Sequence, residues 1–96
     1  MIYVVISDDC PHCEKQLEHM RKSFFEDEYR VVKYASDDFD SLSFKEKVTG
    51  VPFVAVFDRT NLCYAEAGVL DGTSLRRIER FGGKAEAFNL HKARSA

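Results

Sequence analysis

The chain is 96 residues long, 45% apolar and 12% aromatic, with 5 glycines and 2 prolines. That is the size of one domain with one real core, and it excludes a disordered tail, a collagen-like repeat and a two-domain protein. The net charge of −2 is uneven, because residues 1–75 carry 14 acidic and 8 basic side chains while residues 76–96 carry 2 acidic and 6 basic ones.

Ile2 to Ile6 (IYVVI) is a short β-branched run, the pattern of a buried strand. Ser7, Asp8 and Asp9 break it. Pro11 suits the first position of a helix, where its missing N–H costs nothing. Cys13, Leu17, Met20 and Phe24 then recur at helical spacing, a stripe that should face a sheet, and the helix is predicted from Pro11 to about Glu26. Tyr29 to Ala35 (YRVVKYA) predicts a second strand. Ser36 to Asp40 reads as an acidic loop. A short second helix is predicted over Ser41 to Val48, with Leu42, Phe44 and Val48 inward. Its start is open among Asp40, Ser41 and Ser43, the last with Glu46 three residues on.

Thr49 and Gly50 end that helix, and the nearly all-apolar Phe53 to Phe57 (FVAVF) predicts a central strand. A turn over Asp58 to Asn61 leads to Leu62 to Ala67 (LCYAEA), which should pair back as a hairpin. After a connection over Gly68 to Gly72, Leu75, Ile78 and Phe81 mark a third helix, capped by Thr73 or Asp71 and stopped by Gly82-Gly83. Lys84 to Ala96 has helix-forming composition, with Phe88 and Leu90 as its anchors. The first three elements make a right-handed βαβ unit, and the hairpin adds two strands. An α/β domain follows over residues 1–83, a four-stranded mixed sheet with helices on both faces, plus a tail over residues 84–96.

The three cysteines are Cys10, Cys13 and Cys63. An odd count makes a poor disulfide scaffold, but Cys10-Pro11-His12-Cys13 is a Cys-x-x-Cys between a buried strand and an amphipathic helix, which points to redox chemistry. A spacing of three on a helix turn brings the two sulfurs within reach of a disulfide. Cys10 falls at the N-cap and Cys13 belongs to the buried stripe. One sulfur can therefore attack or be attacked, while the other waits behind it to resolve a mixed disulfide. The helix N-terminus and His12 should lower the Cys10 pKa, whereas Asp8 and Asp9 oppose that shift. The competing reading is half a zinc site completed by Cys63 and a histidine, but zinc normally takes a second close-spaced pair. Cys63 reads as a small buried hydrophobe. Tyr3, Tyr34 and Tyr64 read as sheet residues with wet hydroxyls, and His19 and His91 as exposed.

These motifs resemble the thioredoxin superfamily, in the compact form shared by glutaredoxins and small thioredoxins, over about residues 2–81. Cys10-Pro11-His12-Cys13 is similar to the family's active site. Thr49-Gly50-Val51-Pro52 is similar to its cis-proline loop. Gly68-Val69-Leu70-Asp71-Gly72-Thr73-Ser74-Leu75 resembles the glycine-led segment before the last helix of thioredoxins. The resemblance implies Cys10 as nucleophile and Cys13 as resolving thiol, with Pro11 and His12 tuning them. It implies a cis Pro52 beside the disulfide, Val51 pairing with an extended substrate chain, and Ala67 and Gly68 as the other wall of that groove. The lysine and Gly-Gly-x-x-Asp segment that glutaredoxins use on glutathione are replaced by Ser7-Asp8-Asp9 and Ala67-Gly68-Val69-Leu70-Asp71, which weakens the case for glutathione. Val4 and Asp9 stand where thioredoxins carry a buried aspartate and a tryptophan, so the family's buried proton relay is absent, or Lys33 or a water replaces it. The Pro-His dipeptide, and a valine before the cis-proline, are those of DsbA-type disulfide oxidases, which hints at a more oxidising couple.

The expected function is that of a thiol–disulfide oxidoreductase cycling Cys10 and Cys13, a monomer needing no metal or organic cofactor. Its implied partners are proteins with disulfides, ribonucleotide reductase among them, and a thioredoxin reductase or small thiol as electron source. Whether it runs as reductase or oxidase is open in the sequence. No apolar run approaches the roughly 20 residues of a membrane helix. The opening MIYVVISDD has no basic n-region and no small-residue cleavage site, so a cytoplasmic chain without membrane contact is expected. The alternative is a binding module whose basic tail contacts a partner. Nucleic acid is not the expected partner, since no zinc-finger, RNA-binding or helix-turn-helix signature is present.

Overall fold

The computed structural model describes residues 1–81. Four strands, β1 (Ile2–Ile6), β2 (Tyr29–Lys33), β3 (Phe53–Asp58) and β4 (Asn61–Ala67), form one mixed sheet in the order β2-β1-β3-β4. β1 runs parallel to β2 and antiparallel to β3, and β3 pairs antiparallel with β4. Three α-helices accompany it: α1 (Pro11–Ser23), α2 (Asp37–Asp40) and α3 (Gly72–Phe81). This is the predicted α/β architecture with a four-stranded mixed sheet. The predicted Gly82-Gly83 stop, the tail over 84–96 and His91 lie outside the described residues.

The period-2 alternation of the central strands splits the core into two layers. On one face Ile2, Val4, Val54 and Val56 pack with Met20 and Phe24 of α1 and Leu75 and Ile78 of α3. On the other, Val5, Phe53, Ala55 and Val32 pack with Phe39 and Phe44. β1 and β3 are buried on both faces, which is why they read as unbroken apolar runs. Removing one such side chain from water contributes about 1.5–3 kcal/mol.

Several predicted boundaries move. α1 ends at Ser23 rather than near Glu26, because Phe24 turns to extended backbone and buries its ring in the core. Arg76 of α3 fixes that end. Its guanidinium lies 4.2 Å from the centre of the Phe24 ring and donates to the Ser23 carbonyl at 2.6 Å. A short 3-10 turn over Glu26–Glu28 fills the stretch before β2. β2 stops at Lys33 rather than Ala35, whose φ of 65° leaves the strand region.

The second helix lies elsewhere than predicted. Ser36 to Asp40, read as an acidic loop, holds α2. Ser36 Oγ accepts from the Phe39 N–H at 3.2 Å, an N-cap, and Asp37 and Asp38 sit in the first turn where the helix dipole favours them. Ser41 to Val48 instead winds irregularly into a 3-10 turn at Lys45–Lys47. Leu42, Phe44 and Val48 still face the core as expected. They pack from a non-helical backbone because their spacing of two and four fits no single helical stripe.

The hairpin is tighter than predicted. Asp58 pairs with Asn61, so the loop is only Arg59-Thr60, with Arg59 at φ 58° in the left-handed region that two-residue hairpins require. Opposite it the register slips. Val56 faces Tyr64 and Phe57 faces Leu62, which makes Cys63 the extra residue of a bulge. The bulge puts Leu62 and Ala65 on one face although they are three residues apart. It also leaves Cys63 half-exposed, its Sγ 3.5 Å from the Asn61 carbonyl, against the expectation of a buried residue. Tyr3 packs on the core edge-to-face with Phe44 and Phe57. Tyr34 lies just beyond β2 and is exposed. Tyr64 donates to Glu66 Oε2 at 3.2 Å; burial, reinforced by that carboxylate, pushes its phenol above the ordinary range.

Candidate functional site

The topology gathers the predicted residues at one end of the sheet. Val5, near the end of β1, pairs with Phe53 at the start of β3, and Phe53 pairs with Ala67 at the end of β4. The chain therefore leaves β1 toward Cys10 where it enters β3 through Pro52 and leaves β4 at Gly68.

Asp9, at φ 52°, turns the chain after β1 so that α1 starts at once. Cys10 is its N-cap residue, with extended backbone, and Pro11 opens the helix. The Cys10 carbonyl accepts the first helical hydrogen bond, from Glu14 N–H at 3.1 Å, and its Sγ accepts from the Cys13 N–H at 3.2 Å. Cys10 and Cys13 are joined as a disulfide, with Cα atoms 5.2 Å apart. The two sulfurs live in different surroundings. Cys10 is partly exposed beside an open recess shared with Asp9, Pro11 and Glu14, whereas Cys13 is 2% exposed. Pro11 and His12 are exposed between them.

The electrostatics around Cys10 are mixed. The positive end of the helix dipole favours negative charge there. Asp8 is balanced by Lys33, with Nζ to Oδ1 at 3.0 Å in an exposed ion pair. Lys33 therefore lies on the surface, and the structure does not give it the buried relay position that the sequence left open for it. Asp9 and Glu14 remain as exposed carboxylates. A hydrogen bond to a charged group is worth about 1.5–3 kcal/mol, and an exposed charge pair about 0.2–1 kcal/mol. For a thiolate at Cys10 in the reduced protein, the one N–H contact from Cys13 would therefore outweigh either exposed carboxylate.

Val51 is half-buried, Pro52 is buried, and the peptide bond between them is cis. The Gly68 N–H donates to the Pro52 carbonyl at 2.8 Å. Gly68 adopts φ 117°, a conformation that L side chains rarely take, and nothing crowds its missing side chain. A Cβ on Gly50 would lie 3.7 Å from that of Ala67. Val51, Pro52, Ala67 and Gly68 thus share one neighbourhood. Ser7, Tyr34, Val48, Thr49, Gly50 and Val51 line a recess of about 330 Å³ next to it.

Sequence reasoning missed one element of this region. Gln16 is wholly buried on α1, where Leu17 was expected to carry the stripe. Asp71 caps α3, accepting from the Ser74 N–H at 2.8 Å, which resolves the choice between Thr73 and Asp71. That hydrogen bond holds the Asp71 carboxyl below its ordinary range. His19, expected to be exposed, is half-buried. Among the described residues no three His, Cys, Asp or Glu side chains group as metal ligands. No described helix is long and apolar enough to cross a membrane.

No family model matches the chain, and no curated protein matches it. A solved structure, described as that of a malarial protein, superposes with a TM-score of 0.64 at 16% sequence identity. The match covers 82% of this chain and 91% of that one. At that identity the likeness concerns the fold alone.

Proposed function

We propose that this chain is a thiol–disulfide oxidoreductase on a thioredoxin fold, with Cys10 as nucleophile and Cys13 as resolving thiol. One observation carries the reading. A partly exposed sulfur caps a helix and accepts a backbone N–H, and its disulfide partner is buried one turn behind. The order of strands and helices, and the groove residues Val51, Pro52, Ala67 and Gly68 at the same end of the sheet, support it.

In the cycle, the Cys10 thiolate attacks one sulfur of a substrate disulfide. The new S–S bond forms as the substrate's breaks, and the departing thiolate takes up a proton. Cys13, losing its own proton, then attacks Cys10 Sγ and expels the second substrate thiolate. Two electrons and two protons have passed to the substrate, and Cys10–Cys13 is oxidised. A reductase or a small thiol returns both. The helix N-terminus stabilises the Cys10 thiolate, which makes it both the attacking group and the better leaving group. Disulfide-containing proteins are the proposed substrates, and the cytoplasm, where thiols are kept reduced, is the proposed compartment.

Equilibrating the full-length chain in graded dithiol/disulfide buffers tests this. The expected result is a reversible two-electron couple between about −270 mV, the thioredoxin value, and about −120 mV, the DsbA value. A potential at the lower end makes the chain a reductant, and one at the upper end an oxidant with the Pro-His dipeptide as cause. The absence of any reversible couple overturns the reading.

A further inference from the structure

Gln16 is the one polar side chain fully buried among the described residues. It stands three residues after Cys13 and four before Met20, so all three share a face of α1. A buried carboxamide is tolerated only when its hydrogen bonds are made. Here both ends bond to one residue. The Leu70 N–H donates to Gln16 Oε1 at 2.7 Å, and Gln16 Nε2 donates to the Leu70 carbonyl at 2.9 Å. Nε2 also lies 3.6 Å from Met20 Sδ.

Leu70 belongs to the connection between β4 and α3, which has no strand or helix ladder of its own. That connection is tethered at its start by the Gly68 N–H on the Pro52 carbonyl. The Gln16 clamp is its second tether. Two-point pairing fixes the orientation of the backbone at Leu70 as well as its position. The wall of the proposed groove is thus pinned to the Pro52 loop at one end and to the helix that carries Cys13 at the other.

We propose that Gln16 is a positioning residue for the substrate groove: it locks Gly68 to Leu70 against α1 and so sets how tightly an extended disulfide-containing chain is held beside Cys10. The proposal rests on the oxidoreductase reading. A groove held in its binding geometry saves the ordering cost of each encounter, so losing the clamp weakens binding without touching sulfur chemistry.

The test compares the wild-type chain with Gln16→Met and Gln16→Leu, two apolar replacements, so that one can be read if the other does not fold. Two probes are used: insulin, whose disulfides are carried on polypeptide that can enter a groove, and a small aromatic disulfide with no chain to fill one. Folded variants are expected to raise KM for insulin about tenfold, with kcat, the rate on the small disulfide and the thiol–disulfide exchange equilibrium constant each within about twofold of wild type. A loss of stability alone would leave KM unmoved in the folded protein. In the wild type, the Leu70 amide should resist hydrogen exchange like the amides of β3. Unchanged KM in a folded variant, or a Leu70 amide that exchanges as freely as the exposed loops, overturns the clamp and leaves the oxidoreductase reading standing. A wild-type chain inert on both probes overturns that reading, and the clamp's role with it.

Discussion

Cys10→Ser is expected to abolish disulfide reduction, with at least about a thousandfold loss in kcat/KM, while the protein stays folded. The two halves of that expectation come from the same position. Serine is a preferred N-cap, so the hydroxyl takes over the hydrogen bond from the Cys13 N–H and α1 keeps its start. What is lost is the thiolate, since a serine hydroxyl neither ionises near neutral pH nor forms a bond to sulfur. Cys63→Ser is the matched control. Cys63 sits in the β4 bulge, away from α1, and its replacement should leave turnover intact. Insulin reduction and a thermal melt on both variants check the pair of outcomes.

Phe53→Ala should destabilise the domain by about 3–5 kcal/mol. Phe53 is 1% exposed on a central strand, paired with Val5 on one side and Ala67 on the other. Its ring stacks on Phe44 with centroids 6.1 Å apart. Truncation leaves a cavity between the sheet and the loop around Phe44, and the strand backbone on either side cannot close it. Phe25→Ala is the contrast. That ring is 75% exposed, and its loss should stay within about 0.5 kcal/mol. Urea unfolding of both variants, with unchanged denaturant slope, measures the difference.

What could be read in advance follows from how local each signal is. β1 and β3 announce themselves because both faces are covered, so every residue from Val4 to Val5 and from Phe53 to Val56 is apolar. The start of α1 was legible because Pro11 and the cysteine spacing act within one turn. α2 was not, because four residues are too few for a hydrophobic period. Its marker was Ser36 followed by aspartates, which also reads as a loop. The hairpin bulge hid for a related reason, since only the partner strand shows that Cys63 is the extra residue. The Gln16 clamp depends on Leu70, 54 positions away, and no local pattern reports such a contact. Its one trace was a glutamine between Cys13 and Met20 on an apolar stripe.

The central claim is that Cys10 exchanges with disulfides and Cys13 resolves the product. It is tested most directly by exposing Cys13→Ser to an excess of an aromatic disulfide and following the intact mass. The account predicts one stable mixed disulfide per chain, mapped to Cys10, forming at least about a hundredfold faster than any adduct on Cys63. Equal labelling of Cys10 and Cys63, or no adduct on Cys10, would contradict it.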